Sequence, residues 1–106
     1  MNSSPTWGLL LSDINYIQNL FARYPQIVEV IIFGSRALGN FKIGSDVDLA
    51  VKGAELDSIL PEILAILEHR SSMPYHFDLL DFEKINNQNL KEHINQVGQV
   101  FYSKFA

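Results

Sequence analysis

The stretch FGSRALGNFKIGSDVDLAV, from Phe33 to Val51, joins two apolar runs through a Gly-Ser pair and places two aspartates one residue apart. A solvated loop would explain each of these polar residues taken alone. However, two carboxylates on one face of a strand repel each other, and each loses hydration when it is half-buried. The arrangement is therefore costly, and its spacing suggests that the stretch carries chemistry.

Composition limits the classes of protein to which this chain can belong. It has 106 residues, 47% of them hydrophobic and 19% charged, and no cysteine. This length favours a single domain, residues 1–106, and the lack of cysteine excludes a disulfide framework or a thiolate metal site. The net charge of -4 argues against polymeric nucleic acid as a partner, because that kind of binding requires clustered Lys and Arg.

The N-terminal segment MNSSPTWGLLLSD, residues 1–13, has no basic leader and only a brief apolar patch, so it does not resemble a secretory signal. No apolar run in the sequence is long enough to span a bilayer. We therefore expect a soluble, cytoplasmic protein that does not act at a membrane.

The two runs that flank the Gly-Ser pair predict strands. IVEVIIF, residues 27–33, is short and β-branched and is stopped by a glycine, which favours a largely buried strand. DVDLAVKG, residues 46–53, alternates, so that Asp46, Asp48 and Ala50 share one face and the apolar residues form a dry opposite face. Between the strands, SRALGN is long enough for one or two helical turns.

Apolar residues at helical spacing predict three helices, over residues 12–24, 58–70 and 87–98. Ser12 and Ser58 suit the N-cap positions of the first two, and Gly98 suits the C-terminal cap of the third. PYHFDLLDF, residues 74–82, predicts a third strand. The order helix, strand, strand, helix, strand, helix predicts an α/β (α+β) fold in which helices flank a small mixed sheet.

Three aspartates are the candidates for metal chemistry. Asp46 and Asp48 lie about 7 Å apart along a strand, and a divalent cation would remove both their repulsion and their desolvation cost. Asp78, within the apolar segment HFDLL, would join them if its strand lies beside theirs. Asp81 is a weaker candidate, because three residues further on it faces the opposite way. Aspartates on an edge strand also prevent aggregation, so a purely structural interpretation stays open.

The Gly-Ser pair is a candidate phosphate site, because glycine lets a ligand approach the backbone and a helix N-terminus offers N–H and hydroxyl donors. A turn followed by an N-cap is the structural alternative for Gly34 and Ser35. The three histidines, at positions 69, 76 and 93, show no ligand spacing. We expect no functional role for any of them; if one has a role, His76, two residues before Asp78, is the first to consider.

The joint pattern of Gly-Ser, ten residues (Arg36 to Ser45) and Asp-x-Asp resembles the signature of the minimal nucleotidyltransferases of the DNA polymerase β superfamily. The downstream FDLL and the closing LKEHINQVGQVFY are also similar to segments of that family, so the resemblance covers most of the chain. It implies a polymerase β-like nucleotidyltransferase fold and a magnesium-dependent transfer of AMP from ATP to an acceptor hydroxyl, with release of pyrophosphate.

The resemblance also implies a role for each matching residue. Gly34 and Ser35 would hold the β- and γ-phosphates. Asp46 and Asp48 would ligate two Mg²⁺ ions, and Asp78 would bind the catalytic ion and help to activate the acceptor hydroxyl. Further contacts with the phosphates are expected from the neighbouring polar residues Arg36, Lys42 and Ser45.

One departure from the family pattern concerns charge. Leu38 stands where many relatives have a second arginine, so Arg36 or Lys42 would have to supply that positive charge. Arg36 also has a structural alternative, because an arginine after a turn is often simply solvated.

The partner is expected to be a protein, because a domain of this size with an open metal face cannot enclose both a nucleoside triphosphate and a large acceptor. The smallest relatives are commonly paired with a separate, all-helical protein of the HEPN type, and some attach AMP to a tyrosine of that toxin. The resemblance thus implies the antitoxin of a type VII-like toxin–antitoxin pair, in a hetero-oligomer or alternatively as a homodimer.

Two other functions stay open at this point. The chain would be a binding module if it neutralised or scaffolded a HEPN partner without any transfer, although three retained carboxylates argue against this. A transferase for small molecules of the aminoglycoside type is less favoured, because the sequence shows no acceptor-binding domain.

Overall fold

The predicted fold class is confirmed, with one more strand than the sequence pattern suggested. The structure, a computed structural model, describes residues 6–106, so residues 1–5 of the segment expected to lack a leader lie outside the described part. The elements follow in the order α1 (Leu11–Ala22), β1 (Ile27–Phe33), α2 (Gly34–Leu38), β2 (Val47–Gly53), α3 (Ile59–Ala65), β3 (Phe77–Asp81), α4 (Gln88–Val97) and β4 (Gln99–Ser103). Among residues 6–106, no helix combines the length and the apolar character needed to cross a bilayer.

The four strands form one mixed sheet in the order β3-β2-β1-β4. Strand β1 is antiparallel to both β2 and β4, whereas β2 and β3 run parallel. Parallel neighbours require a long crossover connection, and α3 supplies it. This topology places the starts of β2 and β3 and the end of β1 at the same edge of the sheet.

Strand β4 was missed because Gly98 ends α4 and the chain enters the new strand at Gln99 without an intervening loop. Its middle residue, Phe101, is only 2% exposed and packs its ring against Phe21 of α1. The strand therefore closes the core beside β1. The β-branched and aromatic residues of QVFYS were the available signal for it.

Each face of the sheet is covered by helices. Helices α1 and α3 pack on one face, over a buried core that includes Ile17, Phe21, Ile32, Leu49 and Ile63. Helix α4 covers part of the other face, through a smaller cluster of Ile31, Phe33, Ala50 and Ile94. The expectation that β2 has a single dry face is therefore wrong at Ala50, because α4 keeps water from that position.

Several predicted boundaries need correction. Helix α1 begins at Leu11, and the carbonyl of Leu10 accepts the first backbone hydrogen bonds, so Ser12 lies inside the helix and is not its N-cap. Ser58 does occupy the N-cap position of α3, but its side chain makes no capping hydrogen bond. Helix α3 ends in a π-helical turn, Ile66–Arg70, which completes the predicted span.

The predicted third strand and final cap also differ in detail. Strand β3 is limited to Phe77–Asp81, and two residues before it the Tyr75 hydroxyl donates a hydrogen bond to Asp13 of α1. Gly98 follows α4 as expected, but its backbone is extended rather than left-handed. A Cβ at Gly98 would lie 2.3 Å from the Ile94 carbonyl oxygen, so close packing explains the glycine there.

Candidate active site

The Gly-Ser turn lies where β1 ends and α2 begins. Gly34 has a φ of 75°, a left-handed conformation that favours glycine. A Cβ on Gly34 would lie only 2.3 Å from the Asp48 Oδ2 atom. Two independent constraints thus require glycine here, and its lack of a side chain allows the Asp48 carboxylate to lie against the backbone of the turn.

The strand register brings the carboxylates toward this turn. Asp48 is paired with Phe33 across the antiparallel ladder and with Asp78 across the parallel one. Residues paired directly across neighbouring strands project from the same face of a sheet. Asp46 immediately precedes β2 and is exposed, as is Asp78, whereas Asp48 is half-buried.

The competing carboxylate, Asp81, lies elsewhere. It is paired with Val51 at the far end of β3, and its side chain accepts a hydrogen bond from the Glu83 backbone N–H at 3.1 Å. Asp81 therefore caps the short 3₁₀ turn Phe82–Lys84, and it is Asp78 that lies opposite Asp48.

The electrostatics of Asp48 show that the carboxylates act on one another. Burial, followed by the charges of Asp78 and Asp46, raises the pKa of Asp48 to about 6, although His93 and Arg36 oppose this effect. Crowded carboxylate oxygens are the ligands preferred by hard divalent ions, and a cation would remove their repulsion. In the described part of the chain, no three acidic, histidine or cysteine side chains are arranged to hold an ion by themselves. These carboxylates fit Mg²⁺, which is usually bound by one or two protein carboxylates together with oxygens of the substrate phosphates.

The raised pKa of Asp48 predicts a pH dependence of stability. In the folded protein Asp48 binds its proton more tightly than in the unfolded chain, where the ordinary value is 3.8. Protonation of Asp48 therefore stabilises the folded protein fully below about pH 4, and this stabilisation is lost as the pH rises to about 6. We expect Asp48→Asn to become progressively more stable than the wild type across this interval.

Urea unfolding in EDTA at a series of pH values would measure this difference. Glu55→Gln is the matched control, because Glu55 is an exposed carboxylate and should show no such trend. A difference between Asp48→Asn and the wild type that stays constant from about pH 4 to about pH 7 would contradict the prediction.

Arg36 has a structural task in this protein. It is 4% exposed, and its guanidinium donates to the Ser45 carbonyl oxygen from Nε and Nη2, at 3.2 and 2.8 Å, and to the Trp7 carbonyl oxygen at 2.9 Å. The rings of Phe41 and Tyr75 lie 5.2 and 5.4 Å from the guanidinium carbon. Arg36 thus fastens the loop that leads into β2, which fixes where Asp46 and Asp48 begin. A phosphate contact from Arg36 stays a prediction.

The other residues expected near phosphate lie on the same loop or on α2. The Ser45 hydroxyl accepts a hydrogen bond from the Lys42 backbone N–H at 2.9 Å and closes the turn 42–45. The Lys42 side chain is exposed, and Leu38, at the end of α2, is 53% exposed. The structure leaves the phosphate roles of Lys42 and Ser45 as predictions.

His93 is a site residue that the sequence reasoning missed. Its Nε2 atom accepts a hydrogen bond from the Gly34 N–H at 3.2 Å, and its ring packs edge-to-face with that of Phe33. By contrast, the side chain of His76 is 85% exposed, and its Nδ1 atom lies 4.0 Å from the Oε2 atom of Glu68. His93 lies three residues after Leu90 and four before Val97, two of the apolar residues whose spacing predicts this helix, and that position on the apolar side was the signal that could have identified it.

Comparison with known proteins places this site in a family. The family described as "Polymerase beta, Nucleotidyltransferase" matches residues 15–105. The chain therefore belongs to the polymerase β nucleotidyltransferase family, as the Gly-Ser and Asp-x-Asp pattern predicted. A comparison with curated protein sequences gave no significant match.

Among solved structures, the chain is similar to toxin–antitoxin complexes. One, a toxin–antitoxin with AMP-PNP, matches with 26% identity and a TM-score of 0.70, over 86% of this chain and 73% of that chain. The toxin–antitoxin MntA–HepT matches with 24% identity and a TM-score of 0.64, over 89% of this chain and 73% of that chain. The tri-AMPylated Shewanella oneidensis HEPN toxin in complex with MNT antitoxin matches with 24% identity and a TM-score of 0.63, over 87% of this chain and 71% of that chain. The chain thus shares its fold with these structures.

Proposed function

We propose that this protein is a magnesium-dependent nucleotidyltransferase that transfers AMP from ATP to a hydroxyl group of a partner protein. The observation that supports this most strongly is the contact between the Gly34 backbone and the Asp48 carboxylate, with Asp78 opposite Asp48 on the next strand. A turn suited to phosphate and a set of carboxylates suited to metal thus share one edge of the sheet. We further propose that residues 1–106 form a single nucleotidyltransferase domain.

The proposed reaction is an in-line displacement at the α-phosphorus of ATP. The acceptor oxygen forms a bond to this phosphorus, the bond from the phosphorus to the bridging oxygen breaks, and pyrophosphate leaves. Asp78, which is exposed, takes the proton of the acceptor hydroxyl. The backbone N–H groups of Gly34 and Ser35 would hold the β- and γ-phosphates, and Asp46, Asp48 and Asp78 would hold two Mg²⁺ ions. When bound, these ions neutralise the charge of the phosphates and of the leaving group.

The exposure of the site supports a protein acceptor. Asp46 and Asp78 are both exposed, so a side chain presented by another protein can approach them. One similar structure contains a tri-AMPylated HEPN toxin bound to an MNT antitoxin, and another contains AMP-PNP. We therefore propose that the acceptor is a tyrosine of a helical HEPN-type partner, that the two chains form a hetero-oligomeric toxin–antitoxin pair, and that they act in the cytoplasm.

The mass of the partner after incubation tests this proposal. The chain is mixed with ATP, Mg²⁺ and a candidate HEPN-type partner, and we expect the partner to gain the mass of one or more AMP groups. The same gain should be absent with Asp48→Asn and present with Asp81→Asn. Complete neutralisation of the partner by Asp48→Asn, without any change in mass, would instead show a binding module.

A binding module is the second candidate because of the charges around α2. The guanidinium of Arg36 is committed to two carbonyl groups, and Leu38 replaces the second arginine of many relatives. In this candidate function the fold holds the partner, and the carboxylates play no part in neutralisation.

A further inference from the structure

The hydrogen bond between Gly34 and His93 joins the proposed phosphate site to α4. The two residues are 59 positions apart, and the bond length from the Gly34 nitrogen to His93 Nε2 is 3.2 Å. His93 is half-buried, and its ring is held at an interplanar angle of 80° to Phe33, the residue that precedes Gly34. The imidazole therefore contacts both residues at the junction of β1 and α2.

This bond matters because a backbone N–H carries a single hydrogen. The Gly34 N–H is the first donor of α2 and points out of the helix, where helical bonding offers no acceptor. In the structure that donor is taken by His93 Nε2. A phosphate oxygen cannot receive a full hydrogen bond from Gly34 until the imidazole moves away.

The geometry also defines the state of the ring. A nitrogen that accepts a hydrogen bond carries no proton, so the neutral His93 ring carries its proton on Nδ1. Because Gly34 also lies against the Asp48 carboxylate, the ring stands near the carboxylates as well as beside the turn. Movement of the ring would open the space that the phosphates are proposed to occupy.

We infer that His93 is a positioning residue of the nucleotide site, which holds the Gly34 N–H in the free protein and releases it to a phosphate oxygen when ATP binds. This inference rests on the proposed function, because it takes Gly34 as a ligand of the triphosphate. Its consequence is that His93 competes with ATP, so removing the acceptor strengthens nucleotide binding.

Calorimetric titration of Mg-ATP into His93→Phe tests this competition. Phenylalanine keeps an aromatic ring against Phe33 but accepts no hydrogen bond from the Gly34 N–H. We expect His93→Phe to bind Mg-ATP about threefold to tenfold more tightly than the wild type, the range that corresponds to one net hydrogen bond. The affinity for AMP, which lacks the β- and γ-phosphates, should not change.

Two further variants separate competition from a general effect on the fold. His93→Gln, whose amide oxygen can accept the Gly34 hydrogen bond, should restore the wild-type affinity for Mg-ATP. His69→Phe, at an exposed position near the end of the π-helical turn, should bind like the wild type. Equal or weaker binding of Mg-ATP by His93→Phe would overturn the inference, as would equal tightening of ATP and AMP.

Nitrogen-15 spectra of the histidine side chains give a direct second readout. In the free protein the His93 spectrum should show an unprotonated Nε2, and the addition of Mg-AMP-PNP should shift both this signal and the Gly34 amide. Unchanged His93 and Gly34 signals in a protein saturated with nucleotide would contradict displacement. A wild-type protein that binds no Mg-ATP under any condition would refute the proposed function itself, whereas normal binding without the His93 effects would refute only this inference.

Discussion

Replacing Asp48 by Asn is expected to lower the rate of AMP transfer at least about 100-fold while leaving the fold intact. Asp48 is the most buried of the three carboxylates and lies between the Gly34 backbone and Asp78. The substitution keeps the size of the side chain but removes one charged metal ligand. Initial rates of AMP incorporation into the partner, measured at saturating Mg-ATP, provide the test.

The matched control is Asp81→Asn on the neighbouring strand. Asp81 caps a 3₁₀ turn at the far end of β3, so its replacement should leave the transfer rate within about twofold of the wild type. Equal loss of activity in both variants would show that the effect is one of stability, and unchanged activity in Asp48→Asn would refute its proposed role.

Gly34→Ala is also expected to lower the rate of transfer strongly, but for a different reason. The new Cβ would meet the Asp48 Oδ2 atom at 2.3 Å, so the carboxylate must leave its position against the turn. The left-handed backbone of Gly34 adds a steric cost of about 1 to 2 kcal/mol. We expect a measurable fall in the free energy of unfolding together with a loss of activity of at least about 100-fold.

Gly39→Ala separates these two effects. Gly39 has a φ of 87°, and a Cβ there would meet no atom within 4 Å. This variant therefore carries the same backbone strain without displacing any side chain, and we expect it to lose stability but to keep its transfer activity. Equal activity of the two alanine variants would contradict the account of Gly34 given above.

Much of the fold could be predicted from the sequence because its signals are local. The β-branched run that ends at Gly34 and the alternation after Asp46 define two central strands whose bounds agree closely with the structure. Strand β4 could not be separated from α4 in the same way, since no loop divides them and the strand exists through its pairing with β1. The prediction of Ser12 as an N-cap was also wrong. A serine acts as a cap only where its side chain accepts a backbone hydrogen bond at the start of the helix, and α1 begins one residue earlier without such a bond.

The candidate site shows the same division between local and distant signals. The carboxylates and the glycine could be selected because their spacing lies within one short stretch and one neighbouring strand. The contacts of Arg36 with Trp7 and of His93 with Gly34 could not, because each depends on how separate segments pack against the sheet. The residues that surround the proposed chemistry were therefore harder to predict than those that would perform it.

The central claim is that the Gly-Ser turn and the carboxylates of Asp46, Asp48 and Asp78 form one site for a metal-bound triphosphate. The most direct measurement is the affinity for AMP-PNP with Mg²⁺ and, separately, with EDTA. The account predicts binding that is at least about tenfold tighter with Mg²⁺, and loss of this difference in Asp48→Asn. Equal affinity of the wild-type protein in Mg²⁺ and in EDTA would contradict it.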